Sequence, residues 1–228
     1  MKFLGLDKVL CLAPHPDDIE LGMLGAICKY KNTHFDIFVL SEGGDFDETT
    51  KKERHDECLK ALRHIDNVTY SFADEKFMKN KAEDEWIHII ENKYKMDEYE
   101  CIFVPPFEDS HFDHRFVNQM APALVRSSKC GVITYKTPST LNTWLPNLFV
   151  DLNVQVIREV EDGHSSDTHK TFLAFVRYIK EKRLEDFVSQ QNKTYFKSDS
   201  IESFHSNFTC SKRGMNFVES FRVETTYV

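Results

Sequence analysis

Apolar and polar positions alternate along this chain in two different periods, and the switches between them mark out its elements. Residues 8–13 read KVLCLA, an almost unbroken apolar run. After the turn-like PHPDD the apolar positions re-space to Leu21, Leu24, Ala26 and Ile27. The first pattern predicts a strand buried on both faces and the second an amphipathic helix. The unit recurs, with a strand over 36–40, a Gly-containing loop, and a charged helix over 50–65 that gathers Cys58, Leu59 and Leu62 on one face. Further strands are predicted at 68–72, at 101–104 before Pro105 and Pro106, and at 132–135, with helices over 82–94 and 114–125 between them. Short apolar strands separated by amphipathic helices imply parallel pairing with helices on both faces, because right-handed crossovers place them there. The expectation is an α/β fold, a Rossmann-like three-layer sandwich with a mostly parallel sheet.

The last third is less regular. A Pro/Thr/Asn/Trp segment at 137–147 is followed by a predicted helix over 168–183, a polar stretch over 189–213 and a closing strand over 216–223. No Pro/Gly/Ser-rich hinge divides the 228 residues, so one domain over 1–228 is expected.

Composition narrows the function. The chain is 41% hydrophobic and carries 37 acidic against 29 basic side chains, a formal charge of −8, with no basic patch interleaved with aromatics. A nucleic-acid partner is excluded on that ground. No uncharged run approaches the ~20 residues of a membrane span, and Asp7 and Lys8 interrupt the apolar start, so neither a membrane span nor export is expected. Six cysteines are dispersed without a CxxC, which suits reduced, buried thiols in the cytoplasm. The Asn-x-Thr triplets beginning at Asn67, Asn192 and Asn207 then carry no glycosylation. EGGD at 42–45 lacks the Lys-Ser/Thr ending of a phosphate loop, and no GxGxxG follows the first strand, which disfavours a nucleotide cofactor.

Chemistry gathers after two strands. His15, Asp17 and Asp18 follow the first, bracketed by Pro14 and Pro16; EDSHFDHR follows the strand at 101–104 and supplies His111, Asp113 and His114. In open α/β sheets, ligands bind beyond the carboxyl ends of the strands. Each cluster alone also suits a plain helix N-terminus, with Asp17 or Asp18 as one cap and Asp113 as another. Together they offer histidines and acids to one crevice, with a carboxylate to spare, which is what metal-assisted hydrolysis requires. His34, His55, His64, His88, His169 and His205 have no comparable acidic motif and read as surface or core histidines.

The pair PHPDD and HxDH, each at a strand end, resembles the zinc-dependent LmbE-like or PIG-L family of N-acetylglucosaminyl deacetylases. Gly22 and Gly25, the R-x-x-E of Arg54 and Glu57, the TPS…W…PN segment from Thr137, His164 and Ser165, and the FVESF run ending at Phe221 extend the likeness over most of the chain. The chain departs from the family's pattern at Ile19, where an acid often stands, and at Leu24 and Ser166. The resemblance implies His15, Asp18 and His114 as ligands of Zn2+, with Fe2+ or Co2+ as other possible ions, and Asp17 as the general base. It also implies His111 as a donor to the developing oxyanion or leaving nitrogen, with Asp113 fixing its ring, and Arg54 facing the substrate. A His111 that must be protonated to donate gives a bell-shaped pH profile. The implied substrate is an N-acetylamino sugar or its glycoconjugate; an amidase of thiol-sugar conjugates and a non-catalytic sugar-binding relative are the alternatives. A homo-oligomer is compatible with all three.

Overall fold

Successive side chains of the first strand enter different layers of core. In β1 (Lys8–Ala13), Val9, Cys11 and Ala13 join one apolar cluster while Leu10 and Leu12 join another. A strand covered on both faces therefore reads as a continuous apolar run. The computed structural model describes residues 1–44, 48–152 and 179–225. Within them β2 (His34–Ser41), β3 (Val68–Glu75), β4 (Cys101–Val104) and β5 (Gly131–Tyr135) extend the sheet in parallel, and β6 (Leu148–Asp151) and β7 (Val218–Thr225) complete it. The order is β3-β2-β1-β4-β5-β7-β6, with β7 antiparallel to both β5 and β6.

Helices α1 (Asp18–Lys29) and α2 (Glu48–Ala61) cover one face, where Ile19, Leu24, Cys58 and Ala61 meet the odd-numbered residues of β1. Helices α3 (Glu83–Lys93) and α4 (Phe112–Val125) cover the other through Trp86, Ile90, Val117 and Met120. The three-layer α/β expectation is met, and the parallel strands and their helices fall close to the predicted bounds. The edge differs: β6 lies in a part of the irregular last third where no strand is predicted, and the final strand runs antiparallel. β6 is four residues long and mostly half-buried, too short for a period to show. Of the helix predicted over 168–183, residues 179–183 are helical and the rest lies outside the described residues, as do His164, Ser165, Ser166 and His169. All six cysteines are buried and unbridged. No helix among the described residues is long and apolar enough to cross a membrane.

Two features position the site. β1 pairs with β2 on one side and β4 on the other, Cys11 opposite Phe103, so the chain leaves β1 in both directions and a crevice opens at the shared carboxyl ends. The loops after β1 and β4 are neighbours there. Helix α1 lies hard against the end of β5, since a Cβ on Gly22 would stand 2.7 Å from the Tyr135 ring and 2.8 Å from the Lys136 carbonyl oxygen.

Candidate active site

The loop after β1 turns into α1 through Asp17, whose φ of 107° is a conformation that L-residues rarely adopt. Asp17 occupies the cap position, yet its side chain makes no capping bond, so the plain helix-cap reading fails for it. The carboxylate is 6% exposed and turns into the crevice instead. Asp18 reaches back: its Oδ2 accepts the His15 backbone N–H at 2.9 Å and lies 3.5 Å from His15 Nδ1, while its Oδ1 lies 3.3 Å from His114 Nε2. One buried carboxylate thus stands between the two imidazoles supplied by separate strand ends.

The loop after β4 is built around Asp109, which sequence reasoning left without a role. Its Oδ1 accepts the His111 backbone N–H at 2.8 Å, and its Oδ2 faces His114 Nδ1 at 3.1 Å and takes the Thr137 hydroxyl. A carboxylate on Nδ1 fixes the ring so that Nε2 faces Asp18, an arrangement typical of metal-ligating histidines. Thr137 and Ser139, from the segment after β5, complete this support. Pairing of Asp109 with Thr140 ties the two loops together.

Asp113 departs from expectation. Its carboxylate bonds His15 Nε2 at 3.0 Å rather than the His111 ring. The His111 ring is fixed all the same, because its Nδ1 accepts the Asp113 backbone N–H at 3.2 Å in the cap of α4. An Nδ1 that accepts leaves the proton of the neutral ring on Nε2, so donation from His111 does not require a protonated imidazolium.

Charge in the crevice follows burial and neighbours. Burial, then the charge of Asp18, push Asp17 up to about 7 against the pull of Arg54 and the histidines. Burial alone would depress His114, but Asp18 and Asp109 raise it to about 10. Asp18 is held well below the usual carboxylate range by His114 and His15 despite its burial. His15 is raised, since its bonds to Asp113 and Asp18 outweigh burial. His111 is lowered by burial and by the two neighbouring imidazoles. Titratable groups pushed apart in one pocket are what acid–base chemistry needs.

These groups line a cavity of about 330 Å³. Arg54 lines it too but is 5% exposed and spends its guanidinium on the carbonyls of Pro16, at 3.0 Å, and Glu42, with Asp17 Oδ2 at 3.9 Å. It clamps the two loops rather than presenting an open fork. Glu57 does not pair with it; that carboxylate takes the Ser189 N–H at 2.7 Å and hydroxyl at 2.6 Å, docking α2 on the short turn Val188–Gln190. Gln190, Lys193 and Tyr195, from the polar stretch, line the cavity as well, although no motif singles them out. Tyr195 faces the two aspartates, whose charges add to burial in raising its hydroxyl. Trp144 is buried with its Nε1 on the Thr134 hydroxyl at 3.1 Å, as a packing residue.

The family described as PIG-L, GlcNAc-PI de-N-acetylase, matches residues 10–125. An uncharacterized deacetylase of Escherichia coli (strain K12), YaiS, is 28% identical over 153 residues, covering 62% of this chain and 80% of its own. Among solved structures, N,N'-diacetylchitobiose deacetylase from Pyrococcus horikoshii superposes with a TM-score of 0.65 at 19% identity, over 97% of this chain and 85% of the other. GalB, the 4-carboxy-2-hydroxymuconate hydratase from Pseudomonas putida, superposes with a TM-score of 0.71 at 14% identity, over 100% and 98%. At these identities the structural likeness is one of fold, and a deacetylase and a hydratase share it, so the reaction has to be argued from side chains.

Proposed function

Because this chain belongs to the PIG-L family of deacetylases, we propose that it hydrolyses the N-acetyl amide of an N-acetylamino sugar or its glycoconjugate, in the cytoplasm, with Asp17 as general base. The observation that carries this reading is Asp17 itself: buried, held at a rare backbone angle, without a capping bond, and pushed up to about 7. A binding module would need the neighbouring donors but no spare base poised near neutrality.

The donor set fits a divalent transition ion. Asp18 stands 3.3 Å and 3.5 Å from ring nitrogens of His114 and His15, and roughly 3.3 Å is the edge of a tetrahedron with bonds of about 2.0–2.1 Å. Asp18 and Asp109 hold a proton on His114 up to about 10, and a cation held by these residues would stand in that proton's place. His15, Asp18 and His114 would hold the ion, Zn2+ by preference, with Fe2+ or Co2+ accepted by the same donors. When bound, such an ion supplies Lewis-acid polarisation of the amide carbonyl and acidifies a nearby water.

The chain's own groups do the rest. Asp17 Oδ takes the attacking water's proton and returns it to the leaving nitrogen. His111 donates from Nε2 to the carbonyl oxygen as charge develops there. Asp113 holds His15, Asp109 holds His114, and Arg54 fixes the loop that carries Asp17. Incubating the metal-loaded protein with a panel of N-acetylhexosamine conjugates and measuring free acetate tests the reading. Acetate release dependent on Asp17 is expected; turnover of bulkier acyl amides alone would move the substrate class, and binding without hydrolysis would overturn the enzyme.

A further inference from the structure

We propose that Glu42, His55 and Asp74 form a second divalent-cation site, suited to a borderline transition ion such as Zn2+ or Co2+, behind the catalytic crevice. The three come from the end of β2, from α2 and from β3, and one donor atom from each lies within 4.8 Å of the others. His55 Nε2 is 2.6 Å from Glu42 Oε1, and the ring is fixed by stacking on Phe72 with centroids 3.6 Å apart. The Glu42 N–H bonds the Glu75 carbonyl at 2.8 Å, which holds the ends of β2 and β3 together.

An ordinary His–Glu pair does not account for the second oxygen of Glu42. That side chain is 2% exposed, and its Oε2 has no hydrogen-bond partner among the described residues. A buried carboxylate oxygen left bare carries a desolvation cost that a cation would remove. Imidazole among the donors favours a transition ion over Mg2+ or Ca2+. Asp74 now pairs with Lys51 at 3.1 Å, so an ion competes with that ammonium and binds more weakly than at the buried first site.

The position gives the ion leverage on the crevice. Gly43, next to Glu42, lies so close to His15 that a Cβ there would stand 2.5 Å from the ring, and Arg54, next to His55, holds the Pro16 carbonyl. An ion at Glu42 and His55 therefore stiffens the loop that backs His15. None of this depends on the deacetylase reading, since the donors are separate from the first set.

Titrating the metal-stripped chain with Co2+, following heat and visible absorption, tests the proposal. Wild type should take two ions per chain. His55→Ala and Asp74→Gly should each take one, as should His114→Ala, which retains the weaker. Glycine suits the φ of 60° at position 74, so that variant keeps the fold if His55→Ala does not. A wild type whose only ion survives in His55→Ala and is lost in His114→Ala, or His55→Ala and Asp74→Gly proteins that still bind two ions, would overturn it; a single ion lost in His55→Ala and kept in His114→Ala would support it and count against the first site instead.

Discussion

Lys180 and Glu219 form an ion pair with neither side chain exposed to solvent, and the pair is wedged into the hydrogen-bond ladder of α1. Glu219 accepts the N–H groups of Gly25 at 2.7 Å and Ala26 at 2.6 Å, while Lys180 Nζ donates at 2.7 Å to the Leu21 carbonyl. In a regular helix the Leu21 carbonyl would take the Gly25 N–H. The pair engages both of these groups from the side, and Gly25 allows the approach, since a Cβ there would stand 2.6 Å from Leu152 and 3.0 Å from Glu219. The helix that begins at Asp17 and Asp18 is thus anchored at mid-length to β7.

Lys180→Met should therefore be severe. It leaves a buried carboxylate without its counter-charge and takes the 2.7 Å ammonium donor from the Leu21 carbonyl, and breaking a buried pair from one side typically costs about 3–5 kcal/mol. Adding Glu219→Gln to Lys180→Met should recover part of the loss, because the unpaired charge disappears. Denaturant midpoints for the two single variants and the double check this; a Lys180→Met protein as stable as wild type would remove the wedge from the stability account.

The two motifs were legible because their residues are neighbours in sequence, and β1 pairing with β4 follows from an α/β sandwich. What the motifs could not give is the partner of each group. Asp113 bonds a histidine 98 residues away, and Lys180 meets a carbonyl 159 residues away, separations that leave no local pattern. Arg54 lines the cavity, as a substrate contact would, and nothing in the sequence says that it also holds two loop carbonyls. Tyr195 and Lys193 sit in a polar stretch without periodicity, in and beside a three-residue turn, and only the folded chain brings them to the cavity.

His205 makes stability depend on pH in a readable direction. Burial, then the charge of Lys180, lower its pKa well below 6.5, and the neutral ring stacks on Phe217 with Nδ1 on the Ile201 carbonyl at 2.7 Å. The folded protein therefore binds fewer protons than the unfolded chain below pH 6.5. The contribution is fully present above that value and is lost as pH falls toward the folded pKa, at up to about 1.4 kcal/mol per pH unit. His205→Gln should flatten the wild-type decline between neutral pH and mildly acidic pH. Parallel stability curves for the two proteins would refute the assignment.

Two donor sets compete for the first ion. Ring nitrogens of His15, His111 and His114 also lie within 4.8 Å of one another, whereas the proposed set takes the Asp18 carboxylate in place of His111. His111 is exposed and has a lowered pKa, and its Nδ1 is occupied by a backbone N–H, so it serves better as a donor than as a ligand. His114→Ala and Asp18→Asn should lose most of the metal at the first site while His111→Ala retains it, by elemental analysis after dialysis against a weak chelator. Loss in His111→Ala equal to that in His114→Ala would favour the three-histidine set.

The division of labour between Asp17 and His111 is testable through rate and pH together. Asp17→Asn is nearly isosteric but cannot take a proton, so kcat should fall about 10²–10⁴-fold with metal retained. Wild-type activity should rise with pH as Asp17 deprotonates, with a midpoint at or below about 7, because a cation beside Asp18 favours the carboxylate. His111→Ala should lower kcat about 10²–10³-fold with little change in KM, since a donor to developing charge acts in the transition state. The neutral ring donates from Nε2, so raising the pH should not switch His111 off, and the bell-shaped profile expected from a protonated donor is replaced by a rise to a plateau. If wild type instead loses activity at alkaline pH and His111→Ala removes that descending limb, the ring works as an imidazolium and its contact with the Asp113 N–H must break during turnover.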